Sequence, residues 1–213
     1  NSRHDLFNIL SLGFRGEALP SIAAISDVTL NTTTQVASTG VMYHIKGGKQ
    51  VPQTPANGRI GTVITVRDLF YNTPARLKYL KRPKTELAKI VDILNRLSLS
   101  YTKIAFSLTS DGKSLLKTTG NGHLQQVIAA IYGRDVAQKM IDIQGENDDF
   151  NVSGYVSLPE LTRGSREYLT VLVNHRFVKN FAVSNAIIKG YGSKLMIGRF
   201  PMGVINIDTD PLL

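Results

Sequence analysis

Gly13 and Gly16 bracket Phe14 and Arg15, and Glu17, Leu19, Ile22, Ala23 and Ser26 follow directly. Those residue types at that spacing could hold a phosphate. Glycine lets a backbone approach an anion without a Cβ clash, and Arg15 adds a permanent cation. A helix starting behind the loop offers free N–H groups and about half a positive charge. The same Gly-x-x-Gly also serves as an ordinary turn before a helix, so spacing alone does not decide. Further on, Ile60 to Val66 reads as a β-branched strand containing Gly61-Thr62, and Asp68-Leu69-Phe70-Tyr71-Asn72-Thr73-Pro74-Ala75-Arg76 ends it. By packing alone, Thr62 is simply a strand residue.

The eight residues Leu12 to Leu19, with Gly61-Thr62 and Asp68 to Arg76, resemble motifs of the MutL family of DNA mismatch-repair ATPases. That family sits within the gyrase, heat-shock chaperone and histidine-kinase (GHKL) class. The resemblance implies that Gly13, Phe14, Arg15, Gly16 and Glu17 form the loop around the triphosphate of ATP. It also implies that Thr62 lies near the adenine, with its hydroxyl in the hydrogen-bond network. The string Asp68 to Arg76 speaks for the mismatch-repair branch over a topoisomerase subunit, the other member of the class considered.

Two of the family's patterns are missing. Its general base and Mg2+ ligand come from a Glu-x-x-x-Asn helix, yet the glutamates tested, Glu17, Glu86, Glu146, Glu160 and Glu167, are followed four places on by Ser21, Ile90, Phe150, Gly164 and Val171. The adenine-binding Asp-x-Gly-x-Gly does not occur. Activating water needs a positioned base and clamping phosphates needs a metal. No catalytic residue is therefore assigned in this chain, the base is expected upstream, and the chain by itself is expected not to hydrolyse ATP. Asp111-Gly112-Lys113-Ser114 imitates the end of a Walker loop, but Ser107 stands where its first glycine belongs, and a hairpin is the better reading.

Charge points to a polyanion. The net charge is +9, and residues 161–199 hold seven Lys/Arg against one acid, beside the acidic stretch 120–160. That basic block is Arg163, Arg166, Arg176, Lys179, Lys189, Lys194 and Arg199. A solvated basic face would have the same composition. Val173-Asn174-His175-Arg176 resembles the family's Val-Asn-x-Arg at a strand end, where the arginine faces a DNA groove, so the block is the expected DNA-binding set. Such contacts go to phosphates, are strongly salt-dependent and do not read sequence. A second run, Arg76, Lys78, Lys81, Arg82, Lys84 and Lys89, reads as a solvated helix flank.

The elements that must position these groups alternate. Residues 5–12 have helical spacing, and a second helix runs from behind the glycine loop through Ser26, with Pro20 in its first turn. Strands follow around Val28 and Leu30 and around Val41, Tyr43 and Ile45, the latter closed by Gly47-Gly48. Thr73 is expected to N-cap a helix with Pro74 first. Leu87, Ile90, Val91, Leu94 and Leu97 mark the clearest amphipathic helix, and Asp111-Gly112 turns a hairpin. After a break at Thr119-Gly120-Asn121-Gly122 come a helix ended by Gly133, strands at 150–156 and 168–174, a helix over 181–189 and a strand over 202–207. The fold class is mixed α/β. By the resemblance, residues 1–119 are the later half of a GHKL-type (Bergerat) ATP-binding domain, and 120–213 a transducer domain of ribosomal-protein-like α/β fold.

With no cysteine among 213 residues, disulfides and thiolate metal sites are excluded, and the four histidines lack ligand spacing. No stretch approaches the ~20 apolar residues of a membrane span. A cytoplasmic, nucleoid-associated bacterial protein is expected. The implied partners are DNA, a MutS-type recognition protein, a downstream nuclease and helicase, and a second copy in an ATP-dependent dimer. The rival reading is a non-catalytic DNA-binding and docking module.

Overall fold

The computed structural model describes residues 15–34, 39–56 and 60–210, with backbone only for 52–56. Gly13, Phe14 and the expected helix at 5–12 lie outside the described residues. By contacts the chain divides into two compact units, Asn1–Arg82 and Pro83–Leu213. The expected boundary at 119/120 instead left the segment 83–119 with the first unit. That segment goes with the second because its long helix and its hairpin pack on the helix after residue 122.

In the first unit, α1 (Ala18–Ala23) leads into the strands β1 (Asp27–Thr33), β2 (Gly40–Lys46), β3 (Lys49–Ala56) and β4 (Gly61–Arg67), then α2 (Pro74–Leu77). The strands form one antiparallel sheet in the order β3-β2-β1-β4. Strand β3 was not expected from sequence, since Pro52 and Pro55 interrupt it. At a sheet edge a missing N–H removes no ladder bond, so proline is tolerated there. Helix α1 stops at Ala23, short of the expected Ser26, whose hydroxyl donates to the Ile22 carbonyl at 2.6 Å. The cap at Thr73 is also corrected: its side chain makes no capping bond, and its Oγ1 is buried without a partner.

Register sorts this sheet into two faces. Val28 opposes Ile45 and Val66, Leu30 opposes Tyr43 and Ile64, and Thr32 opposes Val41 and Thr62. Directly opposed residues point the same way, so one face is apolar and ends in a pair of threonines. The other carries Asp27, His44, Lys46 and Arg67. Of the apolar set only Val28 is buried.

The second unit begins with α3 (Pro83–Ser100) and the hairpin β5 (Ser107–Ser110)–β6 (Lys113–Lys117). Asp111 and Gly112 both take left-handed φ, 50° and 75°, as a two-residue I′ turn requires. Next come α4 (Leu124–Tyr132), α5 (Arg134–Gln138), β7 (Met140–Glu146), β8 (Phe150–Ser157), β9 (Thr162–Arg163), β10 (Leu169–Val173) and β11 (Arg176–Phe177). The chain continues with α6 (Phe181–Gly190), β12 (Phe200–Pro201) and β13 (Gly203–Thr209). Helix α5 and strand β7 were missed. One is a single turn and a half, and the other alternates into exposed polar positions with little apolar signal.

The main sheet runs β11-β10-β13-β8-β7, with β10 and β13 parallel and joined through α6. Its central strand β13 is buried at four successive residues, Gly203 to Asn206, because both faces are covered. Leu99, Val127, Ile128, Met140, Leu172, Met202 and Val204 pack on the α3–α4 side. Val156, Leu169 and Ile205 pack with Ile187 and Tyr191 on the α6 side. Gly154 faces Val204 so closely that any Cβ there would run into the Val204 carbonyl.

Candidate nucleotide loop and nucleic-acid interface

Gly16 has φ +65° with open space where a Cβ would stand. Left-handed glycine backbone with nothing in front of it is what an amide needs to reach an anion. Arg15, Gly16 and Glu17 are all exposed, and Glu17 starts α1 without a side-chain cap, leaving the first amides of that turn to other acceptors. These described residues fit a phosphate group. They do not fit a metal: no cluster of three or more His, Asp or Glu side chains occurs among the described residues.

Behind the loop, α1 is stapled to the Asp68–Asn72 turn. Phe70 N–H donates to the Ile25 carbonyl at 2.7 Å, and Asn72 Nδ2 to the Ala24 carbonyl at 2.9 Å. Gly48 N–H serves the Ala23 carbonyl at 2.9 Å. Three carbonyls left open at the helix end are thereby satisfied. The turn needs left-handed backbone at Asp68 (φ 51°) and Phe70 (φ 67°), uncommon for a bulky residue. The run Asp68 to Asn72 therefore fixes the exit of the helix that carries the glycine loop.

Thr62 is the second residue of β4, and its Oγ1 lies 2.9 Å from Thr32 Oγ1 on β1. Sequence reasoning missed Thr32, since only register identifies a cross-strand partner 30 residues away. On the opposite face, Asp27 Oδ1 meets His44 Nε2 at 2.8 Å and Lys46 lies 3.6 Å from its other oxygen. The His44 hydrogen bond, helped by the charges of His44 and Lys46, lowers the Asp27 carboxyl below its ordinary value.

The seven cations predicted for DNA fall into three places in the second unit. Arg163, Arg166 and Arg199 gather around Thr162, Tyr168 and Phe200. Arg199 donates to Thr162 through Nε and Nη2, both at 3.1 Å, Arg163 lies 5.4 Å over the Tyr168 ring, and Arg166 lies 5.0 Å over Phe200. Arg166 also donates to Asn185 Oδ1 at 2.9 Å and with Lys179 lines a cleft at the start of α6. Arg176 is exposed at the first residue of β11, after a two-residue turn whose Asn174 and His175 have φ 47° and 62°. Asn174 is bonded through both side-chain atoms to Thr209, and His175 N–H donates to Asn206 Oδ1. That network fixes where Arg176 leaves the sheet. Lys189 lies in the last turn of α6, and Lys194 borders an apolar groove of about 650 Å³ between α6 and the sheet. The structure therefore does not bring these two into the arginine cluster.

Arg96 was not predicted. Its guanidinium stands 3.8 Å over the Phe177 ring and pairs with Asp92 at 2.8 Å, reaching the same cleft from α3. The Asp92–Arg96 spacing of four was visible in the sequence, but the face it occupies was not.

Residues 128–213 match the model of the family described as DNA mismatch repair protein, C-terminal domain. The chain is 77% identical to DNA mismatch repair protein MutL of Leuconostoc citreum, over 99% of this chain and 32% of that protein. To MutL of Limosilactobacillus reuteri it is 58% identical over its full length, again 32% of that protein. The chain thus spans about a third of the length of these relatives. Among solved structures, the Aquifex aeolicus MutL ATPase domain complexed with ADP superposes with TM-score 0.76 at 22% identity, covering 99% of this chain and 76% of that one. At that identity it bears on fold alone, and it agrees with the mixed α/β, later part of a GHKL ATPase domain expected from sequence. Identity that high along nearly every residue leaves one assignment: this chain belongs to the MutL family of DNA mismatch-repair proteins.

Proposed function

We propose that these residues are the nucleotide-sensing and DNA-contacting part of a mismatch-repair switch. The observation that carries this is the 77% identity to a MutL over 99% of the chain. In this reading Gly13, Phe14, Arg15, Gly16 and Glu17 hold the phosphates of ATP and Thr62 stands near its base. ATP is the nucleotide of this reading, with Mg2+ held by groups other than the described residues. Residues 1–119 act as part of the ATP-binding domain and 120–213 as its transducer, a division by role that differs from the division by contacts at 82/83. The α1 staple to Asp68–Asn72 ties loop position to the sheet, and Arg163, Arg166, Arg176, Lys179, Lys189, Lys194 and Arg199 meet DNA phosphates. The whole protein then responds to a MutS-type protein, dimerises when loaded and passes the signal to a nuclease and helicase. It works in the bacterial cytoplasm at the nucleoid. Such a device is a two-state element biased by a ligand.

The test is binding of fluorescent duplex DNA over a salt series. Affinity should fall with salt, and Arg176→Glu should weaken it about tenfold while lowering the slope by about one unit per lost phosphate contact. Unchanged affinity and slope would remove Arg176 from the interface. A thermal-shift assay with a non-hydrolysable ATP analogue separates switch from module, since a ligand bound to the folded state raises the melting temperature. The 213 residues alone are expected to show no shift, because they contain neither Glu-x-x-x-Asn at the glutamates tested nor Asp-x-Gly-x-Gly. A chain that also carries those two patterns is expected to shift.

A further inference from the structure

The cleft at the start of α6 has features that duplex phosphates do not require. It encloses about 220 Å³, and Arg96, Arg166, Lys179, Phe177 and Phe181 line it. Both arginines are already held. Arg96 is fixed by Asp92 and the Phe177 ring, and Arg166 by Asn185 and the Phe200 ring. Their charged planes are presented in fixed orientations, so an incoming anion costs little side-chain entropy. Lys179 is exposed and carries no ion pair among those found in the described residues. One acid, Glu167, also borders the cleft against three cations, of which Arg96 is already paired with Asp92.

Phe181 is the unexplained residue. It is 73% exposed at the first position of α6, beside that positive charge, where a polar residue would cost nothing. The helix amides do not account for the site, because Asn180 Oδ1 already accepts from Ala182 and Val183 at 2.9 and 3.1 Å. An open aromatic face next to cations is the combination used to grip single strands: a base stacks on the ring while its phosphate meets the charge.

We propose that this cleft is a single-nucleotide subsite for unpaired DNA, with the base stacked on Phe181 and its phosphate on Lys179 and Arg166. It rests on the DNA-binding reading above and adds to it a preference for strand over duplex at this point. A base inside a duplex offers no free face, so Phe181 discriminates by requiring one.

The protein has no tryptophan, so Phe181→Trp installs a single reporter. Its fluorescence should be quenched by oligo(dT) and unaffected by a blunt duplex. Phe181→Ala should weaken oligo(dT) binding about tenfold and leave duplex binding within about twofold. Lys179→Met should lower the oligo(dT) salt slope by about 0.7, the loss of one single-strand phosphate contact. Absent quenching, or an alanine variant that binds oligo(dT) like the parent or loses both ligands equally, overturns the subsite. If duplex binding then remains salt-dependent and sensitive to Arg176→Glu, only the subsite has failed. If the parent protein binds neither ligand, the DNA reading itself has failed.

Discussion

Val28 and Ile205 are both central-strand residues, and each is almost completely buried, yet their surroundings differ. Ile205 has buried neighbours on both sides along its strand, and its sheet is packed by helices on both faces. Val28 is the sole buried member of its apolar face, where Val66 and Ile64, opposite it and Leu30, are 43% and 44% exposed. The second unit is therefore organised by its own core. The first, among the described residues, is organised by hydrogen bonds: the ladder of its sheet and the staple between α1 and the Asp68–Asn72 turn. Binding geometry follows this division. Fixed arginines and a pinned hairpin belong to the packed unit, while Arg15, Gly16 and Glu17, the described part of the expected glycine loop, belong to the unit whose apolar face is largely exposed.

The sharpest way to break this contrast is to damage each sheet in turn. Gly154→Ala forces a methyl group into the Val204 carbonyl at the centre of the packed sheet, and loss of folding of that unit is expected, read by circular dichroism. Ile128→Ala, at a fully buried site, should cost about 3–4 kcal/mol in denaturant unfolding. Ile64→Val on the apolar face of β4, 44% exposed, should change stability by less than about 0.5 kcal/mol. A large loss there would mean the first unit has a core that its exposure conceals. Between these extremes, Asn72→Ala should cost about 1 kcal/mol by removing the bond to the Ala24 carbonyl, and should raise amide exchange in α1 before the sheet opens.

The smallest effect concerns pH. The Asp27 carboxyl is lowered by its bond to His44, so the folded state favours the ionised form. Its contribution is present above the ordinary aspartate value of about 3.9 and is lost as pH falls through the lower folded value. Asp27→Asn should therefore lower stability at neutral pH and have no effect in strong acid, measured as a melting temperature across pH. An unchanged difference across that range would sever the link to His44.

Much of this was legible in the chain. Local rules placed the Asp111-Gly112 hairpin, the helix ending at Gly133, the amphipathic run of α3 and the strand around Thr62, because turn chemistry and periodicity act over a few residues. The same rules missed β3 behind its prolines, β7 with its polar alternation, and the early end of α1. Only the last was decided by partners distant in sequence, Gly48 and the Asp68–Asn72 turn; β3 and β7 pair with the adjacent strands β2 and β8, and it is their residue types that carry little strand signal. The candidate sites divide in the same way. The phosphate loop and the basic block were visible as residue types, but the grouping of Arg166 with Lys179, the separation of Lys189 and Lys194 from that group, and the arrival of Arg96 from another helix were not.

What the sequence determined by itself was the kinship of the chain, its element types and which residues could meet an anion, because those depend on side-chain chemistry and near neighbours. The tertiary structure decided which cations converge, which threonine answers Thr62, which sheet is closed on both faces and where Phe181 is left open. Convergence is set by strand register and helix packing, and both balance burial over the whole unit rather than over any one segment.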